Sequence, residues 1–375
     1  MCKFVCSYCA GKSLGEFIKT HGTENECSYC KRTGENIAIP IYDLQECILK
    51  AWRLFYENAD DFYYGKDSGI ETFSSRDLIF DSPYTELEDA EELFLQDLSQ
   101  VMADYSWIKR DGFWMNDADI LRNSWDCFCE LVKTEKRYTY FLSKIFKNEP
   151  MAKSPLETLQ EISHLLDSQT SLIKTIPAQT VFFRGRDFDK QEEAEVAKAA
   201  QLGTAPVAVS KDNRFSPAGI SMFYGCFKKD TVKEEVVPDT KNYLAIGQFY
   251  NTKPVRILDL TDIPPIPLYT GSEPEILSLH FLHCFAEELS KPTHNESLDY
   301  IPTQVFTEYI RYIGLKDGNI KGIKYRSSKC KGEDNVVLFY KNEDCKDKAK
   351  PGVDCLVLKS KEIYKISGRF WRKFT

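Results

Sequence analysis

Four cysteines form two pairs near the start of the chain, Cys6-Ser7-Tyr8-Cys9 and Cys27-Ser28-Tyr29-Cys30, with seventeen residues between them. A two-residue gap lets both sulfurs of one tight turn reach a single ion at about 2.3 Å, and two such turns at this separation have the spacing of a four-thiolate zinc site. Cys6, Cys9, Cys27 and Cys30 are therefore the expected ligands of one structural zinc, with Cys2 and His21 as weaker substitutes. A segment this short buries too little apolar surface to fold alone, so the metal would supply folding free energy. The bland alternative is four unrelated thiols.

The elements that would position other chemistry must come from the remaining length. The chain has 375 residues, enough for two or three domains, and 42% of them are hydrophobic, so wholesale disorder is excluded. With 49 Lys+Arg against 57 Asp+Glu the net charge is −8, which weighs against a nucleic-acid-coating protein. No apolar run is long enough for a membrane span, and the start of the sequence has no signal-peptide pattern, so a cytoplasmic protein is expected. Thirteen cysteines without an oxidising compartment then suggest metal ligands and small buried hydrophobes rather than disulfides.

Residues 1–38 read as a zinc-ribbon-like module. Residues 39–150 read as helical, with stripes at Leu44, Ile48, Ala51, Leu54 and Phe55 and from Ala90 to Tyr105, and a third stretch over about 115–146. In this last stretch Trp125, Phe128, Arg137, Tyr138 and Phe141 are expected to be structural. Pro150 and Pro155 mark a boundary, and residues 151–375 turn to strands at Thr180–Arg184, Tyr243–Phe249, Val255–Leu260, Asn335–Tyr340 and Asp354–Leu358, with helices near 155–174, 273–290 and 303–314. The irregular order predicts an α+β fold rather than a doubly wound sheet.

The sequence has no phosphate loop, no His-Glu-x-x-His and no Gly-x-Ser-x-Gly, and its five histidines make no ligand motif. What remains is a dispersed polar set: Phe183-Arg184-Gly185-Arg186, Asn213-Arg214-Phe215-Ser216, Phe223-Tyr224-Gly225, Thr231 to Glu235, Tyr300 to Gln304, and Arg326-Ser327-Ser328 ahead of Asn335-Val336-Val337-Leu338. Each has an ordinary reading alone. A strand-end arginine usually makes a salt bridge, Glu235 beside Lys233 and Glu234 suits a solvated helix face, Ser327 suits a turn and Tyr224 a core.

The order of these marks, over about residues 178–345, resembles the RES domain, a family named for its Arg, Glu and Ser. The front half resembles the module that accompanies some RES domains, a zinc-ribbon-like start followed by a HEPN-type helical segment. The resemblance implies a fold like that of ADP-ribosyltransferases and NAD+ as substrate. Carried over, Glu235, Arg184 and Ser327 are the catalytic candidates. Arg186, Arg214, Tyr224, Gln304 and Ser328 are the substrate-binding ones, with Arg186 open as a replacement for Arg184 and Ser328 for Ser327. The residue types suit that substrate. Guanidinium groups bind a diphosphate with paired hydrogen bonds, a tyrosine stacks on the cationic nicotinamide ring, and a carboxylate opposes the charge of an oxocarbenium-like state.

The expected activity is cleavage of the nicotinamide–ribose bond by a glycohydrolase or phosphorylase acting as a bacterial toxin or defence effector, with an antitoxin or other protein as a partner. The rivals are an ADP-ribosyltransferase acting on a macromolecule, and a zinc-ribbon adaptor with an inactive RES domain. Arg122 and Arg137 lack a following histidine at the spacing of HEPN ribonucleases, so ribonuclease activity is not expected.

Overall fold

Short strands bracket the two cysteine pairs. Strands β1 (Phe4–Cys6), β2 (Glu24–Glu26) and β3 (Thr33–Pro40) pair antiparallel in the order β1-β3-β2. Helix α1 (Lys12–His21) occupies the stretch between the pairs and buries Leu14, Gly15 and Ile18. A side chain at Gly15 would place its Cβ 2.3 Å from the Ser7 carbonyl oxygen, so the missing Cβ is what lets the helix rest on the first cysteine turn. The computed structural model that gives these elements describes residues 3–59, 71–82, 85–110, 115–144, 146, 149–236, 242–292, 296–313, 315–316, 318–367 and 370–373. Cys2, expected as a substitute zinc ligand, lies outside the described residues.

The chain divides into two units, Met1–Ile120 with Pro265–Phe281, and Leu121–Pro264 with Leu282–Thr375. The first unit continues from the cysteine segment through helices α2 (Gln45–Trp52), α3 (Ser75–Asp81) and α4 (Glu92–Val101). Its apolar stripes are core, with Ile48, Ala51 and Trp52 of α2 and Phe94, Leu95 and Leu98 of α4 buried. The unit also holds a second antiparallel sheet, β4 (Tyr56–Asn58), β5 (Phe73–Ser74) and β6 (Ser106–Lys109), in a segment that periodicity assigned to helix. Strands of two to four residues are too short to display alternation.

Helix α5 (Asp117–Thr134) stops well short of the expected 146, where Glu135-Lys136-Arg137 offers no apolar residue to extend its stripe. In the second unit its Trp125 stacks on Phe128 at 5.2 Å and meets Phe285 and Phe306 edge-on. Helix α6 (Pro155–Ser168) starts on a capping box in which Ser154 and Glu157 satisfy each other's backbone N–H, with proline at the first helical position.

Ten strands among the described residues then form one mixed sheet. They are β7 (Ile173–Ile176), β8 (Val181–Phe188), β9 (Phe223–Cys226), β10 (Tyr243–Asn251), β11 (Val255–Asp259), β12 (Gly322–Arg326), β13 (Asp334–Leu338), β14 (Cys345–Lys346), β15 (Leu356–Ser367) and β16 (Phe370–Lys373). Their order is β14-β15-β10-β8-β9-β13-β12-β11-β7, with β16 on β15. The pairs β11/β12 and β14/β15 are parallel and the others antiparallel, so the fold is mixed α+β. Helices α7 (Gln191–Val196), α8 (Ala199–Leu202), α9 (Lys229–Glu235), α10 (Glu273–Ser290), α11 (Glu296–Asp299) and α12 (Ile301–Tyr312) are the remaining described α-helices. No helix among the described residues is long and apolar enough to cross a membrane.

One irregularity in this sheet matters most. Strand β8 pairs with β10 from Val181 to Phe188, but with β9 only at Phe183 opposite Cys226. Past that point the two strands part, and β9 keeps its pairing with β13. On one face the sheet buries Phe182, Phe223, Phe249, Val336 and Leu338. On the other, Val232 of α9 packs with Leu244, Ile246 and Tyr364. Gly185, between the two β8 arginines, makes room for α9: a Cβ there would lie 2.7 Å from Val232 Cγ1 and 3.0 Å from Val236 Cγ2. Gly185→Val should overpack this contact and destabilise the protein by about 1–3 kcal/mol, read as a fall of several degrees in melting temperature. A melting temperature equal to wild type would show that α9 does not depend on the missing side chain.

Candidate functional site

The parting of β8 from β9 opens a cavity of about 310 Å³. Arg184, Tyr224, Glu235, Ser328 and Asn335 all line it, and Arg214 reaches its rim from the loop before β9. Thus residues from β8, β9, α9, β13 and the loop after β12 converge on one place.

Arg184 crosses the gap. Its Nη1 donates to the Tyr224 carbonyl at 2.5 Å, and its guanidinium lies 5.4 Å from the centre of the Phe223 ring. Its Nε is enclosed and has no hydrogen-bond partner. Among the described residues no carboxylate pairs with it. Burial, and then repulsion from Arg186, pull its ionisation down to about 9, so it is still a cation at neutral pH. A buried cation without a counter-charge is costly to keep unless an anion arrives to meet it. Arg186, two residues on, does not line the cavity: it donates to the Gly203 carbonyl at 3.4 Å. Of the two alternatives, the geometry puts Arg184 in the cavity.

Glu235 is the last residue of α9. Its Oε1 accepts from Ser327 Oγ at 2.5 Å and from Asn335 Nδ2 at 2.7 Å. Ser327 also accepts from the backbone N–H of Lys329 at 3.2 Å and of Cys330 at 2.9 Å, which fixes its hydroxyl rotor toward Glu235. Ser327 is thus a positioning residue for the carboxylate, whereas the neighbouring Ser328 lines the cavity. Asn335 stands in the dispersed polar set of the sequence but is assigned no role there. The available signal was a single amide in the apolar run Asn335-Val336-Val337-Leu338, where a buried polar side chain needs a partner.

Two other residues differ from their expected use. Both terminal nitrogens of Arg214 are committed to carbonyls at the end of α10, Nη1 to Leu289 at 2.9 Å and Nη2 to Lys291 at 2.7 Å. That is helix C-capping by a cation, and it leaves Arg214 less free to hold a phosphate. Gln304 lies outside this cavity and donates from Nε2 to the Asn213 carbonyl at 2.9 Å. Tyr224 has a similar role at its polar end: its hydroxyl accepts from the Phe215 N–H at 3.1 Å and bonds Ser216 Oγ at 2.9 Å. Burial raises its phenol well above the ordinary tyrosine range, so it stays neutral. Arg214, Gln304 and Tyr224 together brace the loop over 213–216 that forms one wall.

In the other unit, the sulfurs of Cys6, Cys9, Cys27 and Cys30 all lie within 4.8 Å of one another. Cys6 and Cys30 are 3.6 Å apart and Cys27 and Cys9 3.9 Å. Sulfurs on a tetrahedron at about 2.3 Å from its centre stand about 3.8 Å apart, so the donor set fits a four-thiolate ion. Burial pushes the Cys27 thiol up, but backbone hydrogen bonds from Cys30, Tyr29 and Cys6 outweigh it and bring the group to about 7. A thiol so placed yields a thiolate readily. His21 is turned elsewhere, with its Nδ1 at 2.8 Å from Thr20 Oγ1 and its ring stacked on Phe17.

Comparison with known families matches a RES domain over residues 191–358 and the HEPN/RES N-terminal domain 1 over residues 20–145. No curated protein and no solved structure matches the chain. Arg214, Tyr224, Glu235, Gln304, Ser327 and Ser328 fall inside the first match, while Arg184 and Arg186 precede it and Cys6 and Cys9 precede the second. The chain therefore carries a RES domain behind an N-terminal HEPN/RES domain.

Proposed function

We propose that the chain cleaves NAD+ at the bond between nicotinamide and ribose. The observation that carries this reading is the enclosed Arg184 guanidinium, without a carboxylate partner, in the same cavity as the fixed Glu235. The diphosphate supplies the missing negative charge at Arg184. Glu235, held by Ser327 and Asn335, faces the positive charge that develops on the ribose as the C1′–N bond breaks. The electron pair of that bond returns to the pyridinium nitrogen, so nicotinamide leaves neutral and needs no acid. A C1′–O bond forms to water, which releases a proton, or to phosphate. The aromatic face of Tyr224 is available to the departing ring, and its anchored hydroxyl keeps that face in place.

Several wider readings belong to the same proposal. The parting of β8 from β9 supports a fold like that of ADP-ribosyltransferases. The functional division is a zinc-ribbon-like module over 1–38, a HEPN-like domain over 39–150 and the RES domain over 151–375. A structural zinc on Cys6, Cys9, Cys27 and Cys30 holds the first module. A cytoplasmic toxin or defence effector that depletes NAD+ fits the family, with transfer of ADP-ribose to a macromolecule as the alternative product route.

Purified protein incubated with labelled NAD+ should release nicotinamide, and Glu235→Gln or Arg184→Ala should slow release by about 10²-fold or more. Label left on protein would point to transfer instead, and wild-type rates in both variants would remove these two residues from the chemistry. Metal analysis should find one zinc per chain, and Cys9→Ser or chelation should lower the melting temperature of the first unit. Protein that melts identically with and without chelator, and contains no metal, would exclude the zinc reading.

A further inference from the structure

A second cavity of about 760 Å³ adjoins the first. Asp212 lines both, and the loop that follows it, through Pro217 and Ala218, forms a wall of the larger one. The larger cavity is aromatic where the first is charged: Tyr138, Tyr140, Phe141 and Tyr312 line it, with Arg137 beside them. Tyr138 is 83% exposed, Phe141 51% and Tyr312 66%, so the expectation that Tyr138 and Phe141 are structural does not hold for these two. Large rings left this open, beside a charged cavity, mark a binding surface rather than a core.

The first cavity, at about 310 Å³, sits at the low end of the range for ligand pockets and is small for a whole dinucleotide. Resting on the function proposed above, we propose that the dinucleotide spans both cavities. Its nicotinamide end and diphosphate occupy the first, and its adenosine half enters the second, with Asp212 at the junction accepting hydrogen bonds from the adenosine ribose diol. The chemistry of each part fits this arrangement. A carboxylate accepts from two vicinal hydroxyls, and the same charge repels a phosphate placed on one of them. Asp212 already accepts from the Ala218 N–H at 3.0 Å through Oδ1, which sets its plane relative to the loop. Aromatic faces take an adenine by stacking, and Arg137 adds a cation to that surface. Gln304, whose amide holds the Asn213 carbonyl, lines the second cavity and so couples the two walls. The consequence is a preference for NAD+ over NADP+, set by Asp212.

Three substrates test this: NAD+, NADP+ and nicotinamide mononucleotide, which lacks the adenosine half. Wild type should favour NAD+ over NADP+ in kcat/KM by about tenfold or more, and Asp212→Asn should narrow that gap. Phe141→Ala and Tyr312→Ala, at exposed positions, should raise KM for NAD+ by about tenfold or more, with losses on the mononucleotide at least tenfold smaller. Equal turnover of NAD+ and NADP+ by wild type overturns the inference. So do variants whose effects on NAD+ and the mononucleotide are the same, which is also the result expected if the groove instead seats a peptide or a second copy of the chain. Nicotinamide release from none of the three substrates by wild type removes the function reading, and this inference falls with it.

Discussion

The Arg184 guanidinium is the constraint around which the second unit is organised. It sits where β8 has lost its pairing with β9, bonded to one carbonyl, with an enclosed Nε and no acidic partner among the described residues. Desolvation of a cation is expensive, and proteins normally offset it with a carboxylate. Here the sheet instead leaves an opening beside it, and the proposed function fills that opening with an anionic ligand. Widening a sheet by breaking one ladder gives a cavity whose walls are strands, and strands hold side chains more firmly than loops.

The same strand sets the second requirement. Successive residues of β8 face opposite sides, so Gly185 looks away from the arginines and toward α9. Its missing side chain admits Val232 and Val236 close to the sheet, and α9 then ends with Glu235 at the cavity. The carboxylate is held by groups from the far side, Ser327 after β12 and Asn335 on β13, which the pairing of Arg326 with Asp334 brings together. A fixed carboxylate is worth more to a developing positive charge than a mobile one, because no reorganisation is needed at the moment of reaction.

What was legible in the sequence follows from how local each signal is. The cysteine pairs are read from spacing because a metal turn is a local object. Helices α6, α10 and α12 fall on the helical stretches expected near 155–174, 273–290 and 303–314, and β8, β10 and β11 on strands expected from β-branched and aromatic runs. Of the ordered marks, Arg184, Arg214, Tyr224, Glu235 and Ser328 line one cavity, but their partners lay beyond reach of the sequence. Ser327 meets Glu235 from 92 residues away, and only the register of β12 and β13 decides that contact. An arginine before a strand looks the same whether it holds a phosphate or a helix end, and Arg214 is sorted by the position of α10. Tyr138 and Phe141 read as structural within a helical stretch expected to reach 146; the helix stops at Thr134, and both rings are at the surface.

A crystal structure of the Glu235→Gln protein with ADP-ribose bound tests the central claim most directly. The account places a diphosphate oxygen within hydrogen-bond distance of the Arg184 guanidinium, in the cavity beside the gap between β8 and β9. Ligand bound elsewhere, with no diphosphate oxygen at that guanidinium, would contradict it.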